Sequence, residues 1–207
     1  DQRSFNLTGE GEPEKLQAYG VTANFLPLLG ITPTLGRNFL PVEDKPGAPK
    51  VALISFQLWQ SRFGGERSIV GRELRLNGEQ YSVIGVLPRG FQFGDRYIRL
   101  FVPLGFSQSD LTVRGNHFLN VVARLKPGVT VSQADADIKA ITQRIAQQFP
   151  DQAQGLSSAV VSLREAFTGA TQRSLLLLVI AVGCVLLIAC ANIASLLLAR
   201  AVAVWLI

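Results

Sequence analysis

The chain has 207 residues, of which 48% are hydrophobic, and a net charge of +5. Its twenty basic residues are scattered, and proteins that bind nucleic acid carry a clustered basic patch. The composition therefore argues against nucleic acid as a partner. Both cysteines, Cys184 and Cys190, lie in the apolar C-terminal part, so the polar part contains neither a cysteine nucleophile nor a cysteine-built zinc site.

The first fifty residues predict a strand, a short helix and a loop. A strand is predicted at Lys15–Thr22, and Asn24 is predicted to cap a short helix that Gly30 ends. Glycine, proline and charged residues then predict a surface loop from Gly36 to Pro49. Carboxylates in such a loop, Glu43 and Asp44 among them, are expected to be solvated.

A buried strand and a capped helix follow. The apolar run Val51–Ile54 predicts the strand, and Ser55 is placed to cap the helix after it. In that helix Phe56, Trp59 and Phe63 fall on one face, and the pair of glycines at 64 and 65 stops it.

The clearest local signal is a hairpin around Asn77-Gly78. A two-residue type I′ turn at this dipeptide pairs Leu74 with Tyr81 and Arg72 with Val83. One face of the resulting strand pair is then apolar: Leu74, Leu76, Tyr81 and Val83. Phe91 and Phe93 are expected to cap the core after this hairpin, and a short strand is predicted at Leu100–Val102.

The stretch before the apolar C-terminal part predicts a strand–helix–strand unit. Its strands are predicted at Asn116–Leu125 and at 156–163. Ser132 is placed to cap the helix between them, with Asp135 in the first turn. An apolar stripe runs along this helix: Ile138, Ile141, Ile145 and Phe149.

A transmembrane helix is the strongest prediction. From Leu175 to Ala199 no residue is charged, and these 25 residues form a helix of about 37 Å, longer than the hydrocarbon core of a bilayer. Arg173 and Arg200 bracket the run as interfacial anchors. The count of positive charges on the two sides does not decide the orientation, because large domains cross the membrane largely regardless of charge.

Small side chains in this helix indicate a contact with another helix. Ala191, Ser195 and Ala199 recur every four residues, and Asn192 beside them can form a hydrogen bond across a helix–helix contact. The four residues are predicted to form a helix-packing interface. The alternative is a lone membrane anchor, in which an amide facing lipid would be costly.

No pattern of catalysis or of metal or cofactor binding appears. His117 is the only histidine, and one histidine without cysteine partners does not build a transition-metal site. The sequence contains neither a P-loop nor a GxSxG motif. A membrane-tethered hydrolase would need a nucleophile–base pair, and none is evident. We therefore expect no enzymatic activity, no cofactor and no metal site.

Four stretches together resemble the MacB-type ABC transporter permeases. Three resemble their periplasmic core domain, at 18–44 (AYGVTANFLPLLGITPTLGRNFLPVED), at 51–88 (VALISFQLWQSRFGGERSIVGRELRLNGEQYSVIGVLP) and at 114–141 (RGNHFLNVVARLKPGVTVSQADADIKAI). The fourth, at 186–201 (LLIACANIASLLLARA), is similar to the first helix of the FtsX-like permease domain. The order matches the family, and the similarity is greatest to orphan, duplicated permeases.

This resemblance implies an α+β periplasmic domain at 1–172, followed by one transmembrane α-helix at 173–201. Within the periplasmic domain it implies a porter-like αβ subdomain, 1–33 and 115–172, and an inserted smaller mixed α/β subdomain, 34–114. Residues 202–207 form an apolar tail where family members usually carry a charged segment.

The resemblance also implies a function. The chain would be the permease subunit, in fragment form, of a MacB/FtsX-type ABC transporter in the bacterial inner membrane, coupling ATPase-driven helix motion to its periplasmic domain for export or mechanotransmission. Expected partners are a separate ABC ATPase, membrane lipid, a second copy or pseudo-copy through the transmembrane helices, and a periplasmic or outer-membrane protein. The alternative is a membrane-anchored periplasmic binding or scaffolding module without a transport role.

Overall fold

A computed structural model describes residues 1–9, 11–106, 119–150 and 157–205. The strands in these ranges are β1 (Gln2–Thr8), β2 (Glu14–Val21), β3 (Leu35–Gly36), β4 (Val51–Ile54), β5 (Glu73–Leu76), β6 (Glu79–Val86) and β7 (Ile98–Pro103). The α-helices are α1 (Phe25–Leu28), α2 (Phe56–Phe63), α3 (Val131–Gln148) and α4 (Leu163–Trp205), with 3₁₀ turns at Pro41–Asp44 and Arg67–Ile69. The chain divides into two compact units, Asp1–Ala159 and Val160–Ile207.

Six of the strands close into a small barrel in the first unit. β1 pairs antiparallel with β2 and β5, and β2 pairs parallel with β7. β7 continues antiparallel to β4, β4 parallel to β6, and β6 antiparallel back to β5. The short β3 adds to β6 outside this ring. Closure gives each of the six strands two neighbours, so none of them is left as an edge.

Alternation along the strands divides the apolar side chains between two clusters. The first contains Phe5, Leu16 and Leu74, and α2 adds Leu58 and Phe63 to it. The second covers one outer side of β4, β6 and β7, where α1 contributes Leu26 and the following loop contributes Phe39. Burial of both clusters is the main driving force for this fold.

The predicted hairpin is confirmed. Leu74 lies opposite Tyr81, and the Val83 amide donates to the Arg72 carbonyl oxygen at 2.9 Å. Asn77 and Gly78 have φ angles of 51° and 86°, as a type I′ turn requires. Leu74, Leu76 and Val83 are buried, and Tyr81 packs half-buried against the same cluster.

The helix after β4 is also confirmed. The Ser55 hydroxyl oxygen accepts a hydrogen bond from the Leu58 amide at 3.2 Å, and Gly64 ends α2 with a φ of 62°. The strands predicted around residues 15–22, 51–54 and 100–102 are present as β2, β4 and β7. Phe91 and Phe93 pack against Phe101 and Phe25, as expected of residues that cap the core.

Two predicted helix caps are wrong. Asn24 precedes α1 but makes no capping bond, because its side-chain oxygen accepts a hydrogen bond from the Thr22 hydroxyl at 2.7 Å. α3 begins at Val131 and is capped by Thr130, not Ser132. Thr130 is three residues before Gln133, and the two side chains form a reciprocal capping box.

The strands predicted on either side of α3 are also wrong within the described residues. Residues 119–125 and 157–162 pair with no described strand, so they lack the ladder hydrogen bonds that define a strand. At residue 163 the chain is already helical, because the Ser162 hydroxyl oxygen accepts from the Glu165 amide at 3.1 Å and caps α4. Residues 116–118 and 156 lie outside the described residues.

The subdomain boundary expected at residues 33 and 34 falls within the barrel. β1 and β2 precede it and the other strands follow it, yet all belong to one sheet. Phe5 and Leu16 from the first side share a core with Val83 and Leu100 from the second. The division into porter-like and inserted subdomains therefore stays a prediction, and this sheet does not mark its boundary.

Candidate functional site

The second unit is dominated by the long helix α4. Its 43 residues give a length of about 64 Å, twice the thickness of the hydrocarbon core of a bilayer. Within it, the 21 residues Leu175–Ser195 have a mean hydropathy of 2.9. Their apolar side chains are exposed, with Leu177 at 68% and Leu187 at 71%. By length and composition α4 is a candidate membrane span.

α4 carries the predicted helix-packing residues. At about 100° per residue, Ala191, Asn192, Ser195 and Ala199 fall within about a quarter of the helix circumference. The side chains of Ala191, Asn192 and Ser195 are exposed. The Ser195 hydroxyl donates to the Ala191 carbonyl oxygen at 2.8 Å and can still accept a bond, whereas the Asn192 amide can both donate to and accept from another helix. The interface itself stays a prediction.

In the first unit, a 3₁₀ turn is organised around a buried carboxylate. Glu43 is 8% exposed and accepts hydrogen bonds from both terminal nitrogens of Arg37, at 2.6 and 3.0 Å. Its Oε2 also accepts from the Leu40 amide at 2.8 Å. Burial would raise the pKa of Glu43, but the bonds from Arg37 and Leu40 outweigh it and hold that pKa below the ordinary value.

Asp44, the next residue, links three segments of the chain. Its Oδ2 accepts from the Ala23 amide at 3.3 Å, just before α1, and its Oδ1 accepts from the Gly105 amide at 3.2 Å, just after β7. The expectation that Glu43 and Asp44 are simply solvated loop charges is therefore wrong. One sequence feature could have indicated the structural role of Glu43. It lies three residues after Leu40, with Pro41 between them, and this is the spacing of a capping interaction.

This geometry predicts a pH dependence of stability. The folded-state pKa of Glu43 is lower than its unfolded-state pKa. The contribution of Glu43 to the free energy of unfolding is therefore complete above the unfolded-state pKa and is lost as pH falls through the folded-state pKa. We expect Glu43→Gln to lower the urea midpoint at about pH 7 and to lower it progressively less towards about pH 3. A difference in urea midpoint between the wild type and Glu43→Gln that stays the same at every pH would contradict this role for the carboxylate.

A cleft of about 520 Å³ lies beside the start of β7, and its lining is charged and polar. Its lining residues are Gln2, Glu14, Lys15, Gln17, Asp95, Tyr97 and Arg99. Glu14 pairs with Arg62 at 3.4 Å, and Asp95 accepts from the Tyr97 amide at 2.9 Å. Both carboxylates thus hold neighbouring protein groups, and the cleft lacks the apolar lining of a usual ligand pocket.

Metal-binding side chains do not converge in the described part of the chain. No group of three or more His, Cys, Asp or Glu side chains converges there in a way that could hold a metal ion. His117, predicted to be structural, lies outside the described residues.

Three solved structures resemble the chain. The extracellular domain of the noncanonic ABC-type transporter YknZ from Gram-positive bacteria has a TM-score of 0.48 and 16% identity, covering 73% of this chain and 75% of its own. The periplasmic region of MacB from Actinobacillus actinomycetemcomitans has a TM-score of 0.48 and 14% identity. The match covers 73% of this chain and 66% of the MacB chain. A domain of a putative permease protein from Porphyromonas gingivalis has a TM-score of 0.47 and 16% identity. The match covers 69% of this chain and 65% of the permease chain.

A family model gives the decisive comparison. No curated protein sequence matches the chain. The model of the MacB-like periplasmic core domain, however, matches residues 2–141, which include the whole barrel and most of α3. Because this match covers more than half of its length, the chain belongs to the family of the MacB-like periplasmic core domain.

Proposed function

We propose that the chain belongs to the permease subunit of a MacB/FtsX-type ABC transporter system. One observation carries the proposal: the family match at 2–141 is followed in the same chain by α4, with its 21-residue apolar segment. A periplasmic domain joined to a membrane span is what a permease needs to transmit force across the bilayer. In this proposal α4 crosses the inner membrane, residues 1–172 are periplasmic and Arg200 is cytoplasmic.

Energy would come from a separate ABC ATPase subunit. The permease itself then does no chemistry on a substrate, and it couples motion of the membrane helices to the periplasmic barrel for export or mechanical signalling. Membrane lipid surrounds α4, and a periplasmic or outer-membrane protein receives the motion.

Co-purification tests this function. The full reading frame, tagged and extracted from membranes in mild detergent, is expected to retain an ABC ATPase and to show ATP hydrolysis. The control is the same preparation with the Walker A lysine of that ATPase replaced, which should abolish hydrolysis and keep the complex intact. A permease preparation that retains no ATPase would support the alternative, a membrane-anchored periplasmic binding or scaffolding module.

The packing face of α4 gives a prediction of its own. Ser195→Leu places a bulky side chain among Ala191, Asn192 and Ala199, so we expect it to weaken self-association of α4 in a membrane. Cys190→Leu is the matched control, because it lies about 140° away around the helix. Self-association measured by energy transfer between labelled copies in bilayers should fall for Ser195→Leu and stay near the wild-type value for Cys190→Leu. Equal losses would refute the assignment of this face.

A further inference from the structure

The polar cleft at the start of β7 contains two cations without a partner. Lys15 on β2 and Arg99 on β7 both line it, and neither side chain forms a hydrogen bond or an ion pair with the described residues. Glu14 in the same cleft is already paired with Arg62. Two positive charges and one negative charge, that of Asp95, are then left to face the cleft, so its net charge favours an anionic ligand.

A β-bulge places Arg99 in this cleft. Gln17 pairs with Ile98, but the residue after Gln17 pairs with Leu100, so Arg99 is the extra residue of β7. A bulge of this kind redirects a side chain, and bulges are common beside functional sites. Lys15 lies two residues before Gln17 and therefore on the same face of β2, about 7 Å away along the strand. The two long side chains can thus hold neighbouring groups of one ligand.

The main chain of Lys15 adds a second feature of a binding site. Gly20 and Asp1 exchange both of their main-chain hydrogen bonds, so the even-numbered residues of β2 direct these groups towards β1. Lys15, an odd-numbered residue, directs its N–H and C=O groups to the opposite side. The ladder with β7 on that side begins at Gln17 and does not reach Lys15. An extended peptide can form hydrogen bonds with main-chain groups of this kind.

Other described contacts of β2 and β7 lie at the far ends of these strands. β7 runs for about 17 Å from Ile98 at the cleft to Pro103. Arg124 donates to the Leu28 carbonyl oxygen at 2.7 Å, in the helix that follows the end of β2. This contact therefore lies at the opposite end of the two strands from the cleft.

We propose that this cleft binds an extended acidic peptide. Its carboxylates bind Lys15 and Arg99 through charge-assisted hydrogen bonds, and its main chain lies beside that of Lys15. The polar lining does not suit an apolar ligand, and Asp95 disfavours a densely charged anion such as a polyphosphate. The peptide is either free or an exposed segment of another protein. The site does not depend on the transport role, so a failure of the ATPase test leaves it standing.

Fluorescence anisotropy on the full chain in detergent tests this site, with fluorescein-labelled, amidated tetraglutamate as the probe. We expect this probe to bind and a tetraglutamine probe with the same label to bind at least about ten-fold more weakly. Lys15→Gln and Arg99→Gln should each weaken tetraglutamate binding about three-fold, and together about ten-fold. Arg99→Lys keeps the charge and should bind within about two-fold of the wild type.

The matched control is Lys45→Gln, which removes the same charge from an exposed position outside the cleft. It should leave the affinity for tetraglutamate unchanged. Absence of binding, or a loss in Lys45→Gln equal to that in Lys15→Gln and Arg99→Gln, would overturn the proposal, because attraction to the net positive charge of the chain would then be sufficient.

Two unlabelled competitors distinguish the sources of the peptide. Tetraglutamate with both ends capped represents an internal segment of a protein, and uncapped tetraglutamate represents a free peptide. Stronger competition by the uncapped form, whose terminal ammonium group Asp95 can bind, assigns the site to free peptides. Equal or stronger competition by the capped form assigns it to an exposed segment of another protein. Competition by neither form would contradict the proposed site.

Discussion

Gly36→Ala is expected to cost the first unit about 2–5 kcal/mol of unfolding free energy, which combines the strain of a left-handed residue with backbone overpacking. Gly36 has a φ of 80° and pairs with Gly85 where β3 meets β6. A Cβ there would overlap the Ile84 carbonyl oxygen and lie 2.6 Å from the Gly85 Cα. Because both obstacles are backbone atoms, β3 would have to separate from the barrel.

Gly47→Ala is the matched control for this variant. Its φ of 75° is nearly the same, but a Cβ at this position meets nothing within 4 Å. It should therefore cost only the conformational strain, about 1–2 kcal/mol. Urea unfolding of the full chain in detergent measures both, with Trp59 fluorescence as the signal in a Trp205→Phe background. Equal losses of unfolding free energy in Gly36→Ala and Gly47→Ala would show that close packing of β3 on β6 does not stabilise the first unit.

Leu100→Ala is expected to destabilise the barrel by about 2–5 kcal/mol. Leu100 is fully buried on β7, between β2 and β4, and belongs to the cluster that contains Phe5 and Leu16. Truncation removes apolar contacts and leaves a cavity that a closed sheet cannot easily collapse to fill. The same urea measurement reports the loss.

Val121→Ala is the comparison for this core variant. Val121 is 88% exposed, so its change should stay within about 0.5 kcal/mol of zero. A small effect at Leu100 together with a large one at Val121 would mean that the stability of the first unit lies outside the barrel core.

Local signals predicted many of the elements well. Asn77-Gly78 predicted the hairpin register, because both positions of a type I′ turn need positive φ. Ser55 and Gly64 predicted the two ends of α2. The apolar run from Leu175 needs no tertiary information, since length and hydropathy alone indicate a span. Each of these predictions depends on neighbours within a few residues in the sequence.

The closure of the barrel could not be predicted from the sequence. The contact of β1 with β5 joins Leu7 to Leu76, and that of β2 with β7 joins Ala18 to Leu100, across intervals that no local pattern encodes. The spacing from Leu40 to Glu43 signals a cap, but the burial of Glu43 also depends on how the loop folds back on Arg37, which that spacing does not specify. The described parts of the strands predicted at Asn116–Leu125 and 156–163 have no strand partner, and a strand needs one.

Labelling of one exposed cysteine in intact cells tests the central claim, that the barrel domain is periplasmic and attached to a membrane span. Lys45 is exposed beside the Glu43 turn, so Lys45→Cys, in a full reading frame without Cys184 and Cys190, presents a single thiol on the barrel unit. A membrane-impermeant thiol reagent should label it in cells whose inner membrane is intact. Protection there, with labelling only after lysis, would place the domain in the cytoplasm and contradict the permease topology.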